Sequence, residues 1–205
     1  PMHHLAEHLM LLYIRGQLGF DEDGGLLRRF VLNAAADIRR YAISFVGRVL
    51  SNKEKLPAEV VQRCRELWAL YWEGPGKDDL KNAPQAIVFG EWFASGRFES
   101  AWALAQLDEI TKVVGLAEPD HEVAKELDRI AESDMAASLR ILERMIQGDK
   151  DGWRVQGFIK AATRILNKAR SMGDPHAATA RQITSMLGHR GYTVLPASTD
   201  ESDDD

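Results

Sequence analysis

Apolar residues along this chain recur at the spacing of a single helical face. Val60, Cys64, Leu67 and Tyr71 follow the i, i+4, i+7, i+11 pattern, with Val61 and Trp68 beside them. The same stripe appears at Ile38, Tyr41, Phe45 and Val49, then at Leu104, Leu107, Ile110 and Val114. It continues at Val123, Leu127 and Ile130, and at Met135, Leu139, Leu142 and Ile146. Phe158, Ile159, Ala162, Ile165, Leu166 and Ala169 form the clearest stripe, and Ala180, Ile183 and Leu187 the last. Sustained two-residue alternation is missing, and only Tyr192 to Leu195 approaches it. The spacing predicts an all-α fold of about ten helices.

Proline and glycine punctuate these stripes. Pro57, Pro119 and Pro175 stand where helices begin, a position at which the missing N–H costs nothing. Asp174 and either Ser133 or Asp134 are placed to cap helix N-termini with a side-chain oxygen. Gly96, Gly115, Gly148, Gly173 and Gly188 fall where stripes end, as residues that tolerate the left-handed cap. The links around Ser95 to Phe98, Glu132 to Ser133 and Met172 to Asp174 are short, which predicts antiparallel helical hairpins. Longer breaks separate Gly19 to Gly25, Ser51 to Leu56 and Gly74 to Lys81.

Hairpins of roughly 30 to 40 residues have the period of an α-solenoid. The spacing from Asp134 to Gly148 is repeated from Asp174 to Gly188, with Ala137 and Ala177–Ala178 early in each copy. Met172-Gly-Asp-Pro-His-Ala-Ala is similar to the corner of HEAT-type repeats, while the Trp, Leu-Gly and Tyr offsets of tetratricopeptide repeats are missing. The expectation is an irregular HEAT-like solenoid over residues 1–192, followed by an acidic tail at 193–205 too polar to pack.

Charge refines this picture. The formal net charge is −5 across 205 residues, yet five of the 31 acids lie in Asp200 to Asp205, and without them acids equal the 26 bases. A neutral body argues against broad non-specific nucleic-acid binding. Local blocks nevertheless persist: Glu118 to Asp134 holds seven acids, and Trp153 to Arg190 holds seven bases with Asp174 the lone acid. No apolar run is longer than Leu9 to Ile14, far short of the ~20 residues of a membrane span. No membrane association is expected and a cytoplasmic location is. Cys64 is the single cysteine, which excludes an internal disulfide. The chain begins with Pro1, which reads as a piece of a longer polypeptide.

Four features offer chemistry or binding. His4-Leu5-Ala6-Glu7-His8 has the H-x-x-E-H form of inverted zinc peptidases, in which two histidines hold a metal and the glutamate activates water. Nothing marks a third ligand, and a His-rich structural helix is the simpler reading. Phe89, Trp92, Phe93, Phe98 and Trp102 gather at a helix corner, where they either pack as core or, at Trp92, offer a partner an anchor. Lys160, Arg164 and Lys168 lie i, i+4, i+8 on one helix, a stripe able to follow phosphates or to pair with the acidic block. Cys64 sits on an apolar stripe and reads as an inert thiol. Phosphate-binding glycine loops and the nucleophile elbow are missing from the sequence. No catalytic residue, cofactor or metal is therefore expected.

Several runs bear a family resemblance: His4-Leu-Ala-Glu-His-Leu-Met, Tyr41-Ala-Ile-Ser-Phe-Val-Gly-Arg, and Phe89-Gly-Glu-Trp-Phe-Ala-Ser-Gly-Arg-Phe with Trp102. With Pro119-Asp-His, Trp153 and Leu187-Gly-His-Arg-Gly-Tyr192, the chain resembles the C-terminal helical region of large bacterial multidomain proteins. In those, a nucleotide-binding or sirtuin-type effector precedes a helical tail, and several are linked to phage defence. Glu91 departs from the second aromatic expected there. The resemblance implies a structural role for the helix holding His4, Glu7 and His8, and it supplies no functional residue. The expected function is a non-catalytic recognition or scaffolding segment. Its partner would be a protein or another domain of the same polypeptide, with Trp92, Lys160, Arg164 and Lys168 as candidate contacts. Nucleic-acid binding through the basic stripe and zinc-dependent hydrolysis are the alternatives.

Overall fold

The structure, a computed structural model, describes residues 2–52, 55–72 and 84–194. Ten α-helices and no strand occur among the described residues. The first five are α1 (Met2–Ile14), α2 (Leu26–Asn33), α3 (Ala36–Leu50), α4 (Ala58–Tyr71) and α5 (Phe89–Ala94). The others are α6 (Ser100–Val114), α7 (Asp120–Ile130), α8 (Met135–Gly148), α9 (Arg154–Ser171) and α10 (His176–His189). Short 3-10 turns at Pro84–Val88 and Ala131–Ser133 lead into α5 and α8. The all-α expectation holds, and Tyr192 to Val194 form no strand. No described helix is long and apolar enough to cross a membrane. From residue 195 onward the expected acidic tail lies outside the described residues.

The chain divides into two compact units. One comprises Pro1–Glu99 with Ala117–Pro119, the other Ser100–Leu116 with Asp120–Asp205. In the first, α1 packs on α3, α2 on α4 and α3 on α5. In the second, α6 packs on α8, α7 on α9 and α8 on α10, with α9 also against α10. Each helix therefore makes much of its contact with the helix two places along the chain, rather than only with its hairpin partner. Such neighbours run parallel. Ile43 of α3 accepts from the Trp92 indole of α5, and further along Leu50 of α3 accepts from Arg97, just past the end of α5. Arg154 at the start of α9 lies 3.8 Å from Asp120 at the start of α7.

The apolar stripes become these contacts. In α9, Val155, Phe158, Ala162, Ile165, Leu166 and Ala169 are all buried, and the larger of them each contribute about 1.5–3 kcal/mol of transfer free energy. The helix opens on Asp149, whose carboxylate accepts from the amides of Gly152 (3.1 Å) and Val155 (2.9 Å). It closes at Gly173, where φ is 78°. In α3 the buried face is turned from the expected one. Ile38, Ala42, Ile43, Val46 and Leu50 are buried, whereas Tyr41, Phe45 and Val49 are half-buried. Both sets have helical spacing, and the Arg48 guanidinium lies over the Tyr41 and Phe45 rings at 5.5 and 5.8 Å, shielding the outer set with a cation.

Capping follows the sequence in part. The Asp134 carboxylate accepts from the Ala137 amide at 3.0 Å and caps α8. Asp174 does not cap α10: Pro175 holds that position, and Asp174 pairs with Arg181 at 3.2 Å. Gly96, Gly115 and Gly173 take the expected left-handed conformation, but Gly148 is the last residue of α8 and Gly188 the last but one of α10. Gly148 serves a different purpose. A Cβ there would lie 2.4 Å from the Gly115 carbonyl oxygen, so the C-terminal ends of α6 and α8 meet backbone to backbone. Gly148→Ala is expected to lower unfolding free energy by about 1–3 kcal/mol, because backbone rather than a yielding side chain occupies the space. Urea denaturation measures it, and a loss below about 0.5 kcal/mol would show that the two ends separate freely.

Candidate functional site

The two expected charge blocks meet inside the second unit. Asp128 of α7 is flanked by two cations of α9: Arg164 Nε donates to Oδ2 at 2.5 Å, and Lys168 Nζ lies 2.9 Å from Oδ1. Lys168 also donates to the Asp128 carbonyl oxygen at 2.6 Å. The layer beside it repeats this arrangement. Asp108 of α6 receives Arg140 at 2.9 Å and Arg144 at 2.6 Å from α8, and Arg144 also donates to the Asp108 carbonyl at 2.7 Å. In both, one aspartate is clasped by bases at i and i+4 on the next-but-one helix, and the second base takes the aspartate's carbonyl as well. The second base follows its aspartate by 36 residues in one clasp and 40 in the other.

This settles the position of the expected basic stripe. Arg164 and Lys168 are committed to Asp128 rather than standing free, although half of the Arg164 side chain remains exposed. Lys160, one turn earlier, is exposed and forms no ion pair among the described residues. Sequence spacing placed the three on one face, but only the packing of α7 on α9 brings Asp128 opposite two of them.

Trp92 is corrected from a candidate partner contact to a core residue. It has no exposed surface, and its indole N–H donates to the Ile43 carbonyl at 2.8 Å. Trp68 of α4 joins it, with ring centroids 4.3 Å from Phe89 and 5.7 Å from Trp92. Phe93 and Phe98 are buried in the same unit, and Trp102 is half-buried on α6. The cluster falls where α5 opens because Gly90 admits the backbone of Glu118. A Cβ at Gly90 would stand 2.3 Å from the Glu118 carbonyl oxygen.

His4 and His8 are both exposed on α1. Glu7, the residue that would activate a metal-bound water, instead accepts the Tyr41 hydroxyl, and this hydrogen bond holds its carboxyl below the ordinary value. Among the described residues, no three His, Cys, Asp or Glu side chains gather as a ligand set. Beyond Tyr41 a polar chain crosses α3 that the sequence reading did not identify. Arg48 donates to the Ser44 hydroxyl at 3.2 Å, and that hydroxyl lies 2.8 Å from Glu91 Oε1. Partial burial raises the Glu91 carboxyl, opposed by Ser44 and by Arg48 and Arg40. The i, i+3, i+7 spacing of Tyr41, Ser44 and Arg48 was the available signal.

Cys64 is fully buried, and desolvation pushes its thiol up to about 12. Because the unfolded thiol titrates near 9, its linkage leaves stability intact below pH 9, with losses as pH rises through 9 toward 12. Thiol reagents at pH 8 are expected to modify Cys64 only at the rate of unfolding. Labelling that outruns unfolding would contradict the burial. Asp128→Ala is expected to cost about 1–2 kcal/mol, between the surface and buried ion-pair values, because its partners stay partly in water. Urea denaturation at low and high salt measures this cost, and a cost that does not shrink with salt would rule out an electrostatic clasp.

Compared with family models, curated proteins and solved structures, the chain matches none.

Proposed function

We propose that this chain is a non-catalytic recognition or scaffolding segment built as an irregular HEAT-like solenoid. The observation that carries the reading is the recurrent clasp: Asp108 with Arg140 and Arg144, then Asp128 with Arg164 and Lys168, each joining parallel next-but-one helices. Hairpins repeated in this way stack in two layers and build an extended surface from many short elements, an architecture suited to gripping another protein. The partner is a protein or another domain of the same polypeptide. The sequence resemblance extends the role to the sensor or regulatory part of a larger bacterial antiphage defence protein.

Exposed apolar side chains mark where such a partner is sought: Leu5 on α1, Leu26 on α2, Val113 on α6 and Met172 after α9 are all more than two-fifths exposed. A photo-crosslinking amino acid placed at each of these positions in cells is expected to trap a discrete protein at one face. Exposed polar positions such as Glu59 and Gln182 should trap none. If every apolar position yields the same diffuse background as the polar controls, the recognition role is wrong.

A further inference from the structure

The α9 helix carries a second exposed feature that protein scaffolding does not use. Trp153, its N-terminal flanking residue, is 65% exposed, the largest solvent-facing apolar side chain among the described residues. Counting from it, Gly157, Lys160, Arg164 and Lys168 follow at i+4, i+7, i+11 and i+15, so all five share one face of the helix. That face is about 22 Å long at 1.5 Å per residue. It contains no acidic residue, since none occurs between Arg154 and Ser171.

Each member of the stripe offers something different. The Arg154 guanidinium sits 5.5 Å from the centroid of the Trp153 ring, a cation against the aromatic face. Gly157, one turn on, is exposed, and a Cβ there would meet nothing within 4 Å, so this stretch of the helix face is open. An exposed helix-interior glycine costs about 1 kcal/mol relative to alanine. Lys160 is exposed and unclasped, and half of Arg164 remains in solvent.

The surrounding charges favour an anion. Asp128 offsets one of the two cations it holds, Asp120 faces Arg154 at 3.8 Å, and Asp149 is buried against the amides that open α9. Asp151 is the exposed acid of the adjoining turn, and Lys150 stands beside it. Arg190 adds a cation there by donating to the Asp149 carbonyl at 2.7 Å, and the Tyr192 hydroxyl ties the end of the described chain to Gly152.

We propose that the exposed stripe Trp153, Gly157, Lys160 and Arg164 of α9 binds single-stranded nucleic acid, with a base stacked on Trp153 and phosphates along Lys160 and Arg164. An exposed aromatic at the end of a cationic track is the combination that single-strand binding uses, because any base has a π-face and every linkage carries a charge. An acidic protein segment would satisfy the cations but gain little from a flat, unenclosed indole. The site is independent of the protein-recognition role.

Fluorescence anisotropy of a labelled oligothymidylate of about 12 nucleotides tests this with the full chain. With the two phosphate contacts of Lys160 and Arg164, affinity is expected to fall about 7-fold between 50 and 200 mM salt. Trp153→Ala should weaken binding about 10-fold while Trp153→Phe retains most of it, in line with the loss of one stacked base. Lys160→Gln should flatten the salt slope by about 0.7. These side chains are outside the core, so unchanged far-UV circular dichroism is expected for all three variants. The proposal is overturned if the oligonucleotide does not bind at 50 mM salt. Affinity unaltered by Trp153→Ala overturns it too. So does equal binding of a polyglutamate peptide of matched charge, which would assign the stripe to an acidic protein partner.

Discussion

Parallel packing between helices two apart in the chain is the constraint on which each unit depends. A short link such as Ala131–Ser133 reverses the chain, so the following helix must run back. The helix after that regains the original direction and lies against the first. Apolar stripes on such neighbours bury each other, and the Gly115–Gly148 approach shows how closely the ends of α6 and α8 come together. The aspartate clasps sit at the margins of these contacts and pin the register of one helix on the other. Part of each clasp's value comes from the aspartate's own carbonyl, which gains a charged donor; that of Asp128 lies in the last turn of α7, where intrahelical partners run out.

Charge in this protein is organised by that packing rather than by position along the chain. Read linearly, an acidic block precedes a basic block, and the stripe of Lys160, Arg164 and Lys168 is able either to follow phosphates or to pair with the acids. In the fold they face each other through Asp128, so much of the apparent field is spent internally. What remains exposed is narrower than the sequence suggests: Lys160, part of Arg164 and the indole of Trp153. The reverse holds for the aromatic corner. The sequence left Trp92 as either core or a partner's anchor, and Trp68 from a helix more than twenty residues earlier encloses it. Its one polar atom is satisfied by Ile43, so full burial carries no unmet hydrogen bond.

In the first helix the neighbouring element decides what a short motif meets. His4, Glu7 and His8 do share a face of α1, as the H-x-x-E-H spacing requires. A site also depends on what the neighbouring helix presents there. α3 presents Tyr41, a hydrogen-bond donor to the glutamate, and His3 rests edge-on against the same ring at 4.5 Å. The result is a polar seam between two helices, continued through Arg48 and Ser44 to Glu91.

The amino-acid sequence by itself determined the helical class, the count of about ten helices seen among the described residues, most of their buried faces and the Asp134 cap. These are local properties: a side chain's direction on a helix follows from its position modulo 3.6, and a cap needs only residues within one turn. The turned face of α3, the committed state of Arg164 and Lys168, the enclosure of Trp92 and the exposure of Trp153 were decided only by the tertiary structure. Each depends on which distant segment arrives opposite a given face. Two candidate faces on one helix, or one aspartate within reach of two bases, differ by energies that only the assembled neighbours supply.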